Sequence, residues 1–405
     1  MIQILKMAFR DLGRNRRRSF FSALAVGAGL ALLILMASVI EGEMGSAIES
    51  AIQLQSGHIQ IRAATYDENK SSLKWQDLVA DPDQIAGQIA ALDQVKTATP
   101  RLYASGFLSS GTQSASARIT GIDPLSAASD PYRKGVISGE YLSPDDREAI
   151  LIGKPMAEKL SLNVGDRVGL SLNTADGDVQ DQTFIVKGIY TTNTYGFDSA
   201  TVFLPLAKAQ AITRTENHAS TIFVLLNDTA LTDSVVSALN VSNLEIKTWR
   251  DLNALFVEYE TMAESYIGIF YMIILAISAS VIINTLIMSV YERTREIGIL
   301  SAIGMRGNRI MMLFLAESSM LAIGGVLMGL VIGVLGTLYF NVNGFYIGNM
   351  GLSGIMITDT IYAKLTMDNL INLTIMTFVV TILSGLYPAV MASRMQPVAA
   401  LRAEK

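Results

Sequence analysis

Four long apolar runs stand out from the mixed polar pattern of the chain: Phe20–Ile40, Ala263–Val290, Ile310–Phe340 and Leu370–Ala392. Each reaches the roughly 20 residues that a helix needs to cross the hydrocarbon core of a bilayer, and the third is long enough to tilt or to carry a break. Between the first and second runs lie roughly 220 residues of ordinary globular polarity, enough for a core of their own. The pattern predicts a membrane protein, α-helical with four transmembrane helices in a one-plus-three order. A large α+β extracytoplasmic domain is inserted between helices 1 and 2.

Helical periodicity continues past the ends of the apolar runs. Ile40, Met44, Ile48 and Ile52 recur every four residues after the first run. Leu252, Leu255, Phe256, Tyr259, Met262, Ala263 and Tyr266 follow a three-four spacing before the second. Both stretches read as amphipathic stalks that extend the spans beyond the bilayer. Met1 to Arg18 sets Ile4, Leu5, Ala8, Phe9 and Leu12 among basic positions at helical spacing, as an interfacial helix does. In the inserted region, Gly57–Arg62, Ser114–Ile122, Ala149–Ile152, Arg167–Leu172, Thr183–Tyr190 and Ser220–Leu226 read as strands. Pro82–Leu92, Pro155–Leu160 and Asp233–Leu239 read as helices, which makes the domain α+β with a substantial antiparallel sheet.

The expected order is a cytoplasmic entry helix (1–19), span 1 with its stalk (20–56), the extracytoplasmic domain (57–248), and a stalk with span 2 (249–290). A cytoplasmic loop (291–309), span 3 (310–340), an external loop (341–369), span 4 (370–392) and a cytoplasmic tail (393–405) complete it.

Composition agrees: 50% of residues are hydrophobic, 17% are charged, and the mean hydropathy is +0.38. The first run is longer than a signal-peptide core and lacks a small-residue cleavage pattern, so it is expected to stay as an anchor. Basic residues cluster at Lys6, Arg10, Arg14 and Arg16 to Arg18, at Arg293, Arg295, Arg306 and Arg309, and at Arg394, Arg402 and Lys405. By the positive-inside rule these segments, both termini included, face the cytoplasm. The net charge of −5 thus hides a basic inner edge that suits anionic membrane lipids, and nucleic acid is not an expected partner.

Catalytic and metal chemistry finds little support. The chain has no cysteine, and its two histidines, His58 and His218, lack neighbouring ligands at metal spacing. Gly153-Lys154-Pro155 lacks the glycine loop and following hydroxyl of a phosphate-binding motif, so the chain is not expected to bind a cofactor or hydrolyse ATP. Gly325, Gly329 and Gly333 recur every four residues in the third span, the small-residue spacing that lets another helix approach closely. Asn284 and Glu317 are polar positions in the apolar runs that call for partners.

The segment between the second and third runs, YERTREIGILSAIGMRGNRI, is charged at its ends and apolar in its middle. As a helix, Glu292–Ile303 places Glu292 near Arg295 and Glu296 at ion-pair spacing. Gly304 is expected to stop it, and Gly307 to open the turn before the third span.

This segment, extended to MMLFLAES, resembles the cytoplasmic loop of FtsX-like ABC permeases, the superfamily of the MacB exporters and the lipoprotein-releasing LolC and LolE permeases. AFRDLGRNRRRS resembles the family's basic entry helix, EAILIGKPMAEKLSLNVGDRVGLSL with FIVKGIY its periplasmic core, and YPAVMASRMQPVAALR its closing motif. SGHIQI after the stalk is similar to the LolC and LolE branch. The resemblance implies a bacterial inner-membrane permease that is not itself an enzyme. Arg293, Arg295, Glu296, Gly298 and Gly304 would form a coupling helix that docks on a separate cytoplasmic ATPase dimer, which holds ATP and Mg. A second permease subunit would complete the complex, as a homodimer or a paralogous heterodimer, and a periplasmic lipoprotein carrier is a further expected partner. The substrate would be a lipoprotein or similar acylated molecule, with Met36, Ile40, Tyr266 and Phe270 lining a cavity between subunits; plain helix packing explains these four equally well. Efflux of peptides, antibiotics or lipids, and a non-transporting signalling role on a periplasmic partner, stay open.

Overall fold

The computed structural model describes residues 2–14, 16–67, 72–239, 243–346 and 360–396. The central part of the expected external loop and the end of the tail, 397–405, lie outside them. Two compact units are present. One comprises Met1–Met44, Glu260–Phe345 and Ile361–Lys405, the other Gly45–Tyr259 and Tyr346–Thr360.

Helices form the first unit. They are α1 (Ile2–Arg14), α2 (Arg16–Ala51), α3 (Ala254–Glu292), α4 (Thr294–Ala302), α5 (Gly307–Asn343), α6 (Met367–Ser384) and α7 (Leu386–Ser393). Four helical segments, Arg16–Ser56, Ile267–Glu292, Gly307–Asn343 and Met367–Ser393, are long and apolar enough to cross a membrane. Leu30, Leu33, Ile34, Leu275, Val326 and Leu373 meet in one buried cluster. The glycine column of α5 is where α2 arrives. A Cβ at Gly329 would stand 2.8 Å from the Gly27 carbonyl oxygen, one at Gly325 2.7 Å from Val26 Cβ, and one at Gly333 3.0 Å from Ile34 Cβ. At Gly27 and Gly329 the two backbones touch because neither carries a side chain there.

The fourth apolar run, expected as a single span, keeps the length of one over Met367–Ser393, but its helix is interrupted. Pro388 has no N–H to bond the Ser384 carbonyl, and its ring crowds the preceding turn, so the helix breaks at Gly385. The break is packed as well, since a Cβ at Gly385 would lie 2.6 Å from Ser318 Cβ. Asn284 is exposed on α3, whereas Glu317 is buried and ion-paired.

The second unit is built on ten strands: β1 (Ile59–Ala63), β2 (Val95–Ser110), β3 (Gln113–Ile122), β4 (Val136–Gly139), β5 (Ala149–Gly153), β6 (Arg167–Asn173), β7 (Val179–Tyr190), β8 (Thr201–Pro205), β9 (Thr221–Leu226) and β10 (Leu244–Thr248). Their order is β10-β1-β9-β2-β3-β8-β5-β7-β4, and β6 joins β2 to β7. The pairings β2-β3-β8-β5-β7-β6-β2 therefore close into a six-stranded barrel. Its interior holds Leu102, Leu108, Ile119, Ile152, Val168, Phe184, Val186 and Val202. Most pairings are antiparallel, but β3 with β8 and β5 with β7 are parallel. Strand β2 is long enough to serve twice. Its first half pairs with β9 in a four-stranded lobe covered by the helix Pro82–Ala90, and its second half is a barrel stave. The pattern missed β2, because Pro100 and the alternation of small and polar residues in Thr97–Ser110 break the expected apolar rhythm. His58 is buried at the head of β1, where its Nδ1 accepts from the Leu226 N–H at 3.2 Å and its Nε2 lies 3.0 Å from the Thr229 hydroxyl. That is a structural histidine. Burial holds its pKa below the ordinary value.

Where α2 enters this unit it widens into a π-turn, Ile52–Ser56, closed by Gly57 N–H on the Ile52 carbonyl and ended by Gly57 at φ +67°. A π-turn leaves carbonyls without their usual partners. The Leu54 carbonyl is met by Arg101 Nη1 at 3.1 Å and the Tyr132 hydroxyl at 2.7 Å. Arg101 Nη2 reaches the Ala128 carbonyl at 3.2 Å, and its guanidinium stacks 3.4 Å from the Phe223 ring centre. Burial pushes the Tyr132 phenol up to about 12, with Arg101 pulling the other way, so it stays a donor at any physiological pH.

Two outcomes follow from this packing. Replacing Arg101 by Met removes the side-chain donor of the Ala128 carbonyl and one of the two donors of the Leu54 carbonyl and should cost about 2–4 kcal/mol, against about 1 kcal/mol for Tyr132→Phe; thermal unfolding of the full-length protein in detergent ranks the two. Gly329→Val forces a Cβ into the Gly27 backbone and should cost about 1–3 kcal/mol with loss of monodisperse protein. Gly324→Ala should be silent by the same size-exclusion measurement, since its Cβ meets only Ala23 Cβ at 3.8 Å.

Candidate coupling site

Arg293 occupies the one-residue break between α3 and α4, and its guanidinium is turned into the helical unit. Nη1 donates to Glu317 Oε1 of α5 at 2.5 Å, Nη2 to Asp11 Oδ2 of α1 at 2.6 Å, and Nε to Glu296 Oε2 of α4 at 3.2 Å. One planar side chain thus joins three helices to the break that carries it. Two outer pairs surround it, Arg14 to Glu296 at 2.8 Å and Arg18 to Glu292 at 2.7 Å. These groups, with Ser19, Thr285 and Ser289, line a polar cavity of about 160 Å³.

The side chains of Arg293, Asp11 and Glu317 are 13%, 14% and 4% exposed. Burial works against the Arg293 charge, but Glu317 and Asp11 beside it outweigh that and hold its pKa above the ordinary value. Burial likewise opposes the Glu296 charge, and hydrogen bonds from Arg14 and Arg293 bring its pKa below the ordinary carboxylate value.

The knot fixes the roll of α4. Ile297 is buried with Val290, Ile310, Phe314, Ala389 and Ala392, and Gly298 is buried beside it. The opposite face shows Arg295, Ile299 at 47% exposure and Ile303 at 76%. Gly304, at φ +98°, ends the helix: its N–H bonds the Ser301 carbonyl at 3.1 Å and the Met305 N–H the Leu300 carbonyl at 3.0 Å. That double closure is the Schellman motif, which favours glycine at this position.

Arg293 is tied internally, each of its three guanidinium nitrogens donating once to a carboxylate. The segment 292–303 is not one helix, because α3 ends at Glu292 and α4 begins at Thr294. Glu292 pairs with Arg18 instead of Arg295. Gly307 is the first residue of α5, where a Cβ would stand 2.8 Å from the Ser393 carbonyl oxygen, and Arg306 precedes it as N-cap. Met36 and Ile40 lie half-buried on α2, Phe270 is 53% exposed on α3, and the Tyr266 side chain lies outside the described residues. Asp11 was missed. The signal was a lone carboxylate inside a strongly basic segment, matched by a lone carboxylate, Glu317, inside an apolar run.

Arg293→Gln should destabilise the full-length protein by about 3–5 kcal/mol, because it leaves Glu317 buried without its cation. Adding Glu317→Gln should recover a measurable part of that loss, and a double-mutant cycle by thermal unfolding in detergent checks it.

The MacB-like periplasmic core domain family matches residues 19–241, and the FtsX-like permease C-terminal family matches 268–397. The lipoprotein-releasing system transmembrane protein LolC of Neisseria meningitidis is 23% identical over 96% of this chain and 96% of its own. The macrolide export ATP-binding/permease protein MacB of a Shewanella species is also 23% identical, over 99% of this chain but 60% of its own. Among solved structures, the periplasmic region of MacB from Actinobacillus actinomycetemcomitans aligns with 51% of this chain and 96% of its own at 14% identity and a TM-score of 0.36. With the MacB-like core domain matching more than half of its length and the FtsX-like domain most of the remainder, the chain belongs to the FtsX-like ABC transporter permease family.

Proposed function

We propose that this chain is the membrane subunit of a transporter whose ATP hydrolysis takes place in a separate cytoplasmic ATPase dimer, with α4 as the coupling helix. The observation that carries the reading is the two-sided construction of α4. One side is clamped by Arg293 and the buried Ile297, and the other offers Arg295, Ile299 and Ile303 outward. A helix that must transmit force needs both a rigid root and a free contact face. In this reading α1, α4 and both termini lie at the cytoplasmic side of a bacterial inner membrane, and the sheet-rich unit is periplasmic. A second permease subunit, identical or paralogous, completes the complex. ATP and Mg are held by the ATPase, not by this chain.

Acylated substrates, lipoproteins above all, are the cargo we favour, passed to a periplasmic carrier. The match to a LolC over 96% of both chains supports this. The similarity to MacB over 99% of this chain favours efflux as the second reading.

The test is co-expression with the cognate ATPase subunit, followed by copurification and ATP hydrolysis in nanodiscs. Ile299→Asp combined with Ile303→Asp should weaken association at least about tenfold, since each apolar side chain buried at a contact is worth about 1.5–3 kcal/mol. Stimulation by an acylated lipoprotein but not by its unacylated form supports the first cargo, and stimulation by a macrolide instead supports the second. Copurification unchanged by the double substitution would remove α4 as the docking element.

A further inference from the structure

An apolar groove lies between α1 and α5 and shares Leu12 and Ser19 with the polar cavity at the ion knot. Phe9, Leu12, Gly13, Met320, Ile323 and Gly324 line it, with Arg16 and Ser19 at its polar edge, and it encloses about 450 Å³. Phe9 is 74% exposed beside it, and Ile323 is half exposed. The arginines of this segment divide into two kinds. Arg14 and Arg18 are spent on Glu296 and Glu292. Arg16 and Arg17 are exposed, and among the described residues neither has a carboxylate partner; the guanidinium of Arg16 reaches only the Gly13 carbonyl, through Nε at 3.2 Å.

We infer that this groove binds one anionic glycerophospholipid, an acyl chain lying against Leu12, Met320 and Ile323 and the phosphate held by Arg16 with Arg17 beside it. The inference rests on the membrane orientation proposed above. Charge complementarity selects the occupant. A groove apolar along its length and cationic at one edge matches an acyl chain with an anionic head, and the segment's carboxylate Asp11 is already held by Arg293. A second copy of this chain would bring its own basic Arg16-Arg17-Arg18 run to the same edge. The bound lipid would then act as a wedge under α1, the helix that supplies Asp11 to the knot.

A Cβ at Gly324 meets only Ala23 Cβ at 3.8 Å, so Gly324→Leu fills the space, while Arg16→Gln removes the charge. The full chain is reconstituted in nanodiscs of phosphatidylglycerol and phosphatidylcholine in equal parts, extracted gently, and its retained lipid counted by native mass spectrometry. One phosphatidylglycerol per chain is expected, reduced about fivefold by Arg16→Gln. Gly324→Leu should abolish retention, and Ile273→Leu on α3 should leave it unchanged. Equal retention of the two lipids, or retention indifferent to Gly324→Leu, overturns the proposal. The sequence has no cysteine, so Ile323→Cys is a single-site probe: a disulfide-linked dimer forming in the nanodisc would assign the groove to a second copy. If the wild-type chain is stripped from membranes by alkaline wash, the membrane reading itself fails, an outcome separate from an inserted chain that holds no lipid.

Discussion

A guanidinium withdrawn from water is unfavourable unless every charge around it is answered, and the end of the helical unit is organised around meeting that demand for Arg293. Its fork reaches Glu317, Asp11 and Glu296, which lie on three different helices. Arg–carboxylate geometry is directional, so each contact constrains an angle as well as a distance. The short helix α4 has only nine residues and would be marginal as an isolated helix. Its orientation is imposed from its root by this network and from beneath by Ile297, and the Schellman closure at Gly304 fixes where it stops. A buried ionic cluster is weak evidence for stability but better evidence for a unique arrangement, since sliding α4 by one residue would leave a carboxylate uncompensated.

The glycine column answers a different constraint. In a bilayer, hydrocarbon solvates apolar side chains as well as a neighbouring helix does, so close packing has to hold helices together. Gly27 on α2 and Gly325 and Gly329 on α5 remove the side chains that would keep the backbones apart.

Length and hydropathy made the four apolar helices legible, because a span is a property of many residues at once. Strands with a steady alternation, such as Arg167–Asn173 and the Thr183–Tyr190 part of Val179–Tyr190, were legible for the same reason. Strand β4 (Val136–Gly139) was not: a four-residue edge strand with one half-buried side chain carries little pattern. Nor was β8, whose five residues are all buried and so show no alternation. At the candidate site the residue types were readable but their directions were not. Nothing local to Arg293 distinguishes a side chain aimed at Glu317 from one aimed at a partner protein, because the deciding groups lie 24 residues away on α5 and 282 residues away on α1.

The long strand β2 runs through both lobes of the sheet-rich unit. Because its backbone belongs to the four-stranded lobe at one end and to the barrel at the other, neither lobe can lose its hydrogen-bonded ladder without pulling on amides of the other. Amide exchange at the junction of the two halves, Arg101 and Leu102, therefore reports on both lobes at once.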